Sequence, residues 1–259
     1  MITLIFLGDV VGEPGRRALY RAVPELRAEF GADAVIVNGE NAAGGRGITP
    51  PLVKEFLENG VDAITLGDHV WDQQTLAEQI DTLPRVLRPH NLQPNNPGKG
   101  LVTLDTPKGK VGVLNLMGRT FMRHAAENPF LAALPAIEQL KQDGARAILV
   151  DMHAEATSEK LALFAWLDGR VSAAVGTHTH VQTNDAQVLE GGTGMICDLG
   201  MTGPKRSILG VRPEQSVAMF RGLRAGRYDV ADGPCKLEGC VFTVDEKTGR
   251  CISAEAIRE

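Results

Sequence analysis

The sequence contains few cysteines and no long apolar run. Its four cysteines among 259 residues lack Cys-x-x-Cys spacing, so we expect neither a disulfide framework nor a structural zinc site. The longest apolar opening, residues 1–7, ends at Gly8 and Asp9 and has no basic residues before it, which predicts neither a signal peptide nor a membrane span. We therefore expect a cytoplasmic protein without a membrane partner.

Positive charge is also scarce. Lys and Arg total 27 against 32 Asp and Glu, giving a formal net charge of -5. This balance argues against a protein that holds long nucleic acid through bulk phosphate neutralisation, but it permits a small anionic ligand bound by local positive charge or metal. The length suits one large domain over residues 1–259. A homo-oligomer is compatible with this organisation, although no stretch identifies an interface.

Short runs rich in Val, Ile and Leu alternate with helical patterns. The runs predict buried strands at residues 2–9, 33–41, 62–69, 111–118, 146–153, 172–180 and 193–200. Helical patterns cover residues 16–31, 50–60, 132–144 and 157–169. This alternation predicts a layered α/β fold. Residues 240–257 predict a β-hairpin at a sheet edge, turning at Lys247, Thr248 and Gly249.

Side chains that can bind metal stand where these predicted strands end. They are Asp9, Glu40, Asn41, Asp68, His69, His153, His178 and His180. Each alone could be a helix cap, a turn residue or a structural histidine. At the carboxyl ends of parallel strands, however, they would converge on one edge of the sheet. Carboxylate, amide and imidazole donors suit divalent manganese, iron or zinc, and the set exceeds about four ligands for one ion, which favours two metals.

The spacing of His178 and His180 fits such a pair of metals. If the His-Thr-His segment stays extended, side chains two positions apart share a face. Each imidazole could then reach one of two ions about 3.5 to 4 Å apart.

Five ordered blocks of the sequence resemble a known family. GDVVG (8–12), NGEN (38–41), LGDHVWD (66–72), DMHAEATSEK (151–160) and GTHTHVQT (176–183) are similar to the signature blocks of the calcineurin-like metallophosphoesterases. Within this superfamily they resemble most the bacterial YmdB-type cyclic-nucleotide phosphodiesterases, and DLGMTGP (198–204) extends the likeness. The resemblance implies a sandwich of two mixed β-sheets flanked by helices.

The resemblance also implies a role for each donor. Asp9, Asn41 and His180 would hold the first of two divalent ions, and Asp68, His153 and His178 would hold the second. Glu40 would bridge the two ions. The ions expected are manganese or iron, with zinc or magnesium as alternatives. A hydroxide bridging the metals would attack phosphorus in line, and His69 would protonate the leaving oxygen as general acid.

One position departs from the family pattern, which is usually Gly-Asn-His and here is Gly67-Asp68-His69. An ionised Asp68 brings the formal charge of the ligand set to three negatives, with Asp9 and Glu40. Metal should bind more tightly, but each ion becomes a weaker Lewis acid, and the pKa of the bridging water rises.

The resulting hypothesis is a dinuclear metal-dependent phosphodiesterase that hydrolyses small phosphodiesters, with 2′,3′- or 3′,5′-cyclic nucleotides as expected substrates. The alternatives are a phosphomonoesterase, or a regulatory or RNA-associated binding protein whose metal site senses a ligand.

Two acidic residues have two interpretations each: Asp72 either orients His69 or caps a turn, and Glu155 either supports a ligand histidine or caps a helix. The candidates for phosphate contact, which could equally be surface charges, are Arg46, Arg119, Lys205 and Arg206.

Overall fold

Two six-stranded mixed β-sheets pack face to face in the computed structural model, which describes residues 1–124, 126–224, 226 and 228–259. The strands in chain order are β1 (Ile2–Leu7), β2 (Asp9–Val10), β3 (Ala34–Asn38), β4 (Ala63–Thr65), β5 (Val86–Leu87), β6 (Leu101–Thr106), β7 (Gly109–Met117), β8 (Ala145–His153), β9 (Ala173–Thr177), β10 (Gln187–Val188), β11 (Gly194–Ile196), β12 (Met201–Pro204), β13 (Cys235–Lys236), β14 (Glu238–Val244) and β15 (Cys251–Arg258).

The strand order places parallel strands at the centre of each large sheet. The first sheet has the order β15-β14-β1-β3-β4-β5, with β1, β3, β4 and β5 parallel and the β14–β15 hairpin antiparallel at one edge. The second has the order β10-β11-β9-β8-β7-β6, with its four central strands parallel. A third, small sheet joins β13, β12 and β2.

Six helices occur among the described residues, and all but the last pack against the outer faces of the two large sheets. They are α1 (Gly12–Phe30), α2 (Pro50–Glu58), α3 (Gln74–Gln79), α4 (Pro129–Gln142), α5 (Thr157–Leu167) and α6 (Pro213–Phe220), with a 3₁₀ turn at Ile80–Thr82. Local chemistry sets several of their ends. Helix α4 begins at Pro129 after Asn128, whose side chain accepts the N–H of Phe130. Helix α1 ends at Phe30 and is capped by Gly31, which adopts the left-handed conformation with a φ of 60°.

The alternation of side chains along β1 separates two cores. Leu4 and Phe6 lie in the apolar layer between the sheets, whereas Ile5 and Leu7 contact the layer under α1 and α2. A third apolar layer joins the outer face of the second sheet to α4 and α5. Because the central strands are buried on both faces, their sequences read as continuous apolar runs.

The structure confirms the predicted α/β class, the two mixed sheets with flanking helices, and the edge hairpin. Several predicted strands are too long. The runs at 33–41 and 62–69 form strands only over Ala34–Asn38 and Ala63–Thr65. The run at 172–180 ends as a strand at Thr177, because His178 and His180 have φ values of 104° and 61° that no extended strand allows. The run at 193–200 forms only β11, after which the chain turns toward the small sheet. Among the described residues, no helix is long and apolar enough to cross a membrane.

The layer between the sheets generates a stability prediction. Phe242 on β14 is fully buried and its ring lies against Gly194 of the second sheet. We expect Phe242→Ala to lower the free energy of unfolding by about 3–5 kcal/mol, because it leaves a cavity between the sheets. Urea denaturation would measure the change. The control is Ile252→Ala on the neighbouring strand, where the side chain is half exposed and the cost should be about 0.5 kcal/mol. Equal losses in the two variants would contradict this placement.

Candidate metal centre

The polar residues at the strand ends converge where the two large sheets meet. Oxygen donors follow strands of the first sheet: Asp9 follows β1, Glu40 and Asn41 follow β3, and Asp68 follows β4. Imidazoles come from the second sheet: His153 ends β8, and His178 and His180 follow β9. The packing of the sheets therefore brings an edge of oxygen donors against an edge of nitrogen donors.

Glu40, Asp68, His153 and His178 form the tighter group. One ligand atom from each lies within 4.8 Å of the other three, which is close enough for a single cation to contact all of them. Nε2 of His153 is 3.0 Å from Oε1 of Glu40 and 3.3 Å from Oδ1 of Asp68. Nδ1 of His178 is 3.4 Å from the same Asp68 oxygen. Two imidazoles with two carboxylates match the donor chemistry of divalent transition metals.

Asp9, Asn41 and His180 form a second, adjacent group. Nε2 of His180 is 3.3 Å from Oδ1 of Asn41 and 3.7 Å from Oδ1 of Asp9. That Asp9 oxygen is buried and accepts no hydrogen bond from the described residues. The Asn41 amide nitrogen donates to the carbonyl of Gly45, which leaves the amide oxygen toward His180. A buried carboxylate oxygen without a donor is costly unless a cation satisfies it, so these residues fit a metal ion.

The outer nitrogen of His153 is fixed by a buried chain of hydrogen bonds. The Thr177 hydroxyl donates to Oδ1 of Asp151 at 2.9 Å and lies 2.8 Å from Nδ1 of His153. Burial raises the pKa of Asp151 to about 7, although hydroxyl donors from Thr65 and Thr177 favour its carboxylate form. Because the single Thr177 proton points to Asp151, the N–H of the His153 Nδ1 atom donates to Thr177. Nε2 then faces Glu40 and Asp68 and is the nitrogen that could bind a metal ion in place of its proton.

The other two histidines are oriented in the same manner. Nε2 of His178 lies 3.2 Å from the carboxylate of Glu155, and Nδ1 of His180 lies 3.0 Å from the carbonyl oxygen of Leu209. Each outer nitrogen has an acceptor, so each inner nitrogen faces the candidate ligand side chains and could bind a metal ion when unprotonated. Of the two readings of Glu155, its position favours support of a ligand histidine.

Electrostatic coupling among these groups is strong. Burial alone would raise the pKa values of Glu40 and Asp68, but the charge of His153 and its hydrogen bonds outweigh burial and lower both. The same carboxylates hold the pKa of His153 well above its usual value despite burial. Burial raises the pKa of Asp9, which has a weaker set of partners. A metal ion would take the place of the His153 proton, because a ligand imidazole must be neutral.

Gly67 makes room for the His153 ring. A Cβ atom at this position would lie 2.1 Å from the imidazole, so any side chain would displace the ring or the strand end. The sequence Gly67-Asp68-His69 therefore needs its glycine for close approach between the two sheets.

His69 lies beside the two groups of candidate metal ligands, and its backbone N–H contacts one of them. Its N–H donates to Oε2 of Glu40 at 3.0 Å. The ring Nδ1 is 2.8 Å from one oxygen of Asp72, and the other oxygen accepts from Arg123 at 2.9 Å. This places Asp72 as an orienting partner of His69, which is one of its two predicted readings.

A cleft of about 760 Å³ opens beside these residues. It is lined by Asn41, His69 and His180, and by the predicted phosphate-contact residue Arg46. Lys205 lines a neighbouring depression that shares His180 and Leu209 with the cleft. The structure does not bring the other two candidates together with these residues: Arg119 lines a separate pocket beside Asn91, and Arg206 is an exposed residue that follows β12.

Sequence reasoning missed several residues around the centre. Arg123 and Tyr228 line the cleft, yet both lie in irregular segments where no periodicity places them. Asp151 and Thr177 lie within predicted strands and within the family-like blocks, but neither of them is assigned a role from the sequence. Both are polar residues inside runs that are otherwise buried, and this is the signal that could have identified them.

The hydrogen-bond chain behind His153 generates a prediction. Thr177→Val keeps the shape of the side chain but removes the acceptor for His153 Nδ1, so we expect metal affinity to fall by about 10- to 100-fold. Titration with Mn²⁺ or Co²⁺ against a chromophoric chelator would measure it. Thr202→Val is the matched control, because the Thr202 hydroxyl is buried without a partner among the described residues. Unchanged affinity in Thr177→Val would contradict the orienting role of the hydroxyl.

Comparisons with known sequences and with solved structures indicate the same family. The sequence model described as YmdB-like protein matches residues 5–257. A Bacillus subtilis (strain 168) protein named 2′,3′-cyclic-nucleotide 2′-phosphodiesterase is 42% identical over 257 residues, spanning 98% of this chain and 96% of that protein.

Solved structures agree with this assignment. A hypothetical protein from Thermus thermophilus aligns with a TM-score of 0.90 and 37% identity, covering 100% of this chain and 99% of that one. A structure described as a novel phosphatase from Mycoplasma pneumoniae aligns with a TM-score of 0.91 and 34% identity, covering 100% and 93%. The chain therefore belongs to the YmdB-like family.

Proposed function

We propose that this protein is a dinuclear metal-dependent phosphodiesterase that hydrolyses small phosphodiesters, with 2′,3′- or 3′,5′-cyclic nucleotides as substrates. The observation that carries the proposal is the orientation of the three ligand histidines. Each has its outer nitrogen bonded to an acceptor and its inner nitrogen turned toward buried carboxylates. Such an arrangement is suited to cations, and the name of the Bacillus subtilis relative supports phosphodiester chemistry.

The donors divide between two metal positions. Asp9, Asn41 and His180 would hold the first ion, and Asp68, His153 and His178 would hold the second, with Glu40 shared between them. When bound, divalent ions of this kind lower the pKa of water and offset negative charge on phosphoryl oxygens. The orphan oxygen of Asp9 and the four-residue group around His153 support two positions instead of one.

His69 supplies the proton in this proposal. Its Nδ1 is turned to Asp72, which leaves Nε2 to donate toward the leaving oxygen in the cleft. Asp72 stabilises the protonated ring, and Arg123 fixes the position of Asp72. The backbone bond from His69 to Glu40 couples the position of the acid to that of a metal ligand.

In this proposal the substrate phosphate enters the cleft beside Asn41, His180 and His69. Arg46 reaches it from the glycine-rich loop after β3, where its carbonyl accepts from the Gln73 side chain. Lys205 lies close enough to serve a substrate that extends past His180. We propose these two cations, ahead of Arg119 and Arg206, as phosphate contacts.

Metal content and turnover test the proposal together. We expect about two ions per chain by elemental analysis, and Mn²⁺-dependent hydrolysis of 2′,3′-cyclic AMP, 3′,5′-cyclic AMP or bis-p-nitrophenyl phosphate. His69→Ala should keep its metal and lose about 10²- to 10⁴-fold in turnover, because it removes the proton donor alone. Asp9→Asn should instead lose metal.

Other outcomes favour the alternatives. Faster turnover of p-nitrophenyl phosphate than of any diester would indicate a phosphomonoesterase. Metal binding without turnover of any substrate would indicate a binding protein whose metal site senses a ligand. Wild-type protein that retains neither Mn²⁺ nor Co²⁺ would overturn the proposal.

The carboxylate at position 68 gives a separate prediction. Asp68→Asn removes a negative charge that contacts both His153 and His178. We expect metal affinity to fall about tenfold or more, because ligand charge tunes cation affinity. Turnover at saturating metal should rise, because each ion becomes a stronger Lewis acid. Asp105→Asn, an exposed carboxylate on β6, is the control. Tighter metal binding by Asp68→Asn would contradict the ligand assignment.

A further inference from the structure

A buried ion pair lies behind the metal-ligand residues and belongs to neither group. Nζ of Lys160 on α5 is 2.7 Å from Oδ2 of Asp198, and each residue is about 1% exposed. Removing two charges from water is costly, and an apolar pair of similar volume would often be as stable. A buried pair of this kind therefore invites a functional explanation.

The Asp198 carboxylate bonds to the backbone segment that carries two proposed ligands and to a second segment that is hydrogen-bonded to a third. Its Oδ2 atom accepts the N–H of Thr179 at 3.2 Å, and its Oδ1 atom accepts the N–H of Gly200 at 2.9 Å. Thr179 stands between His178 and His180. The carbonyl of Gly200 in turn accepts the N–H of Asp9 at 3.1 Å. One side chain thus connects segments that carry three of the proposed ligands.

The His-Thr-His turn needs such support. His178 and His180 both have positive φ, a region that L-residues with bulky side chains rarely adopt. Strained backbone of this kind persists only where its surroundings hold it in place. The hydrogen bond from the Thr179 N–H to Asp198 holds the turn at its centre.

Lys160 supports the ability of Asp198 to accept both backbone hydrogen bonds. An ionised carboxylate accepts on both oxygens at once, whereas a neutral amide presents a donor at one position. The ammonium group of Lys160 compensates the buried negative charge, so both oxygens remain acceptors. The aliphatic stem of Lys160 passes close to Gly176, where a Cβ atom would lie 2.8 Å from its Cδ atom.

We propose that Lys160 and Asp198 are positioning residues that hold His178, His180 and Asp9 in the geometry required to bind metal. This inference rests on the proposed function, because it assigns the pair to the same metal centre. The pair itself touches neither metal nor substrate.

The test compares metal binding in three forms of the full-length protein: wild type, Asp198→Asn, and the double variant Lys160→Met with Asp198→Asn. The double variant removes both charges together, so it avoids leaving an unpaired buried ion that could prevent folding. Circular dichroism and thermal unfolding establish that each form is folded. Titration with Co²⁺ and Mn²⁺ gives dissociation constants, and the visible absorption of Co²⁺ reports its ligand geometry.

We expect both variants to bind Co²⁺ and Mn²⁺ at least about tenfold more weakly than wild type, with an altered Co²⁺ spectrum. The matched control is Asp62→Asn. The Asp62 carboxylate also pairs with a cation, Arg27, and accepts a backbone N–H, that of Val35. It lies at the amino end of β4, however, whereas the candidate metal ligands lie at the carboxyl ends of the strands. This control should lose stability and keep the wild-type dissociation constant and Co²⁺ spectrum.

Two results would overturn the positioning role while leaving the proposed function intact. One is a folded double variant with the wild-type Co²⁺ spectrum and affinity. The other is an equal loss of affinity in Asp62→Asn, which would show that general destabilisation is the cause. Failure of wild type to bind Co²⁺ or Mn²⁺ would instead overturn the proposed function itself.

Discussion

The structure depends on the burial of carboxylates that would be unstable without positive partners. Asp9, Glu40 and Asp68 lie almost out of contact with solvent at the junction of two sheets. Anions in such a place must be met by cations or donors, and here imidazoles from the facing sheet meet them. These carboxylates and imidazoles can approach one another because of three features: the packing of the sheets, the glycine at position 67 and the strained turn after β9.

A layer of polar groups around this centre fixes the orientation of each of its three imidazoles. The acceptors are of different kinds: a buried hydroxyl for His153, a carboxylate for His178 and a backbone carbonyl for His180. They come from separate parts of the chain, so no single loop sets the geometry of the centre. Under the proposed function, metal affinity would therefore depend on residues beyond the ligands themselves.

Much of this arrangement follows from the sequence, because parallel strands end at a common edge. Apolar runs located the strands that carry Asp9, Glu40, Asp68 and His153, and the edge rule brought the donors together. The turn at His178 was not predictable, since backbone with positive φ at non-glycine residues leaves no compositional signal. The same applies to the loop cations: only the folded chain shows that Arg46 lines the cleft while Arg119 lines another pocket.

The division of candidate donors between the two sheets has a consequence for when the donor set is complete. All the candidate oxygen ligands lie within the first 68 residues, and the three candidate imidazole ligands lie between residues 153 and 180. A nascent chain therefore carries only the carboxylate and amide members of this set until more than half of it has been synthesised. Contacts between such distant segments form late in folding. Under the proposed function, a full set of metal donors would therefore exist only after the two sheets have assembled.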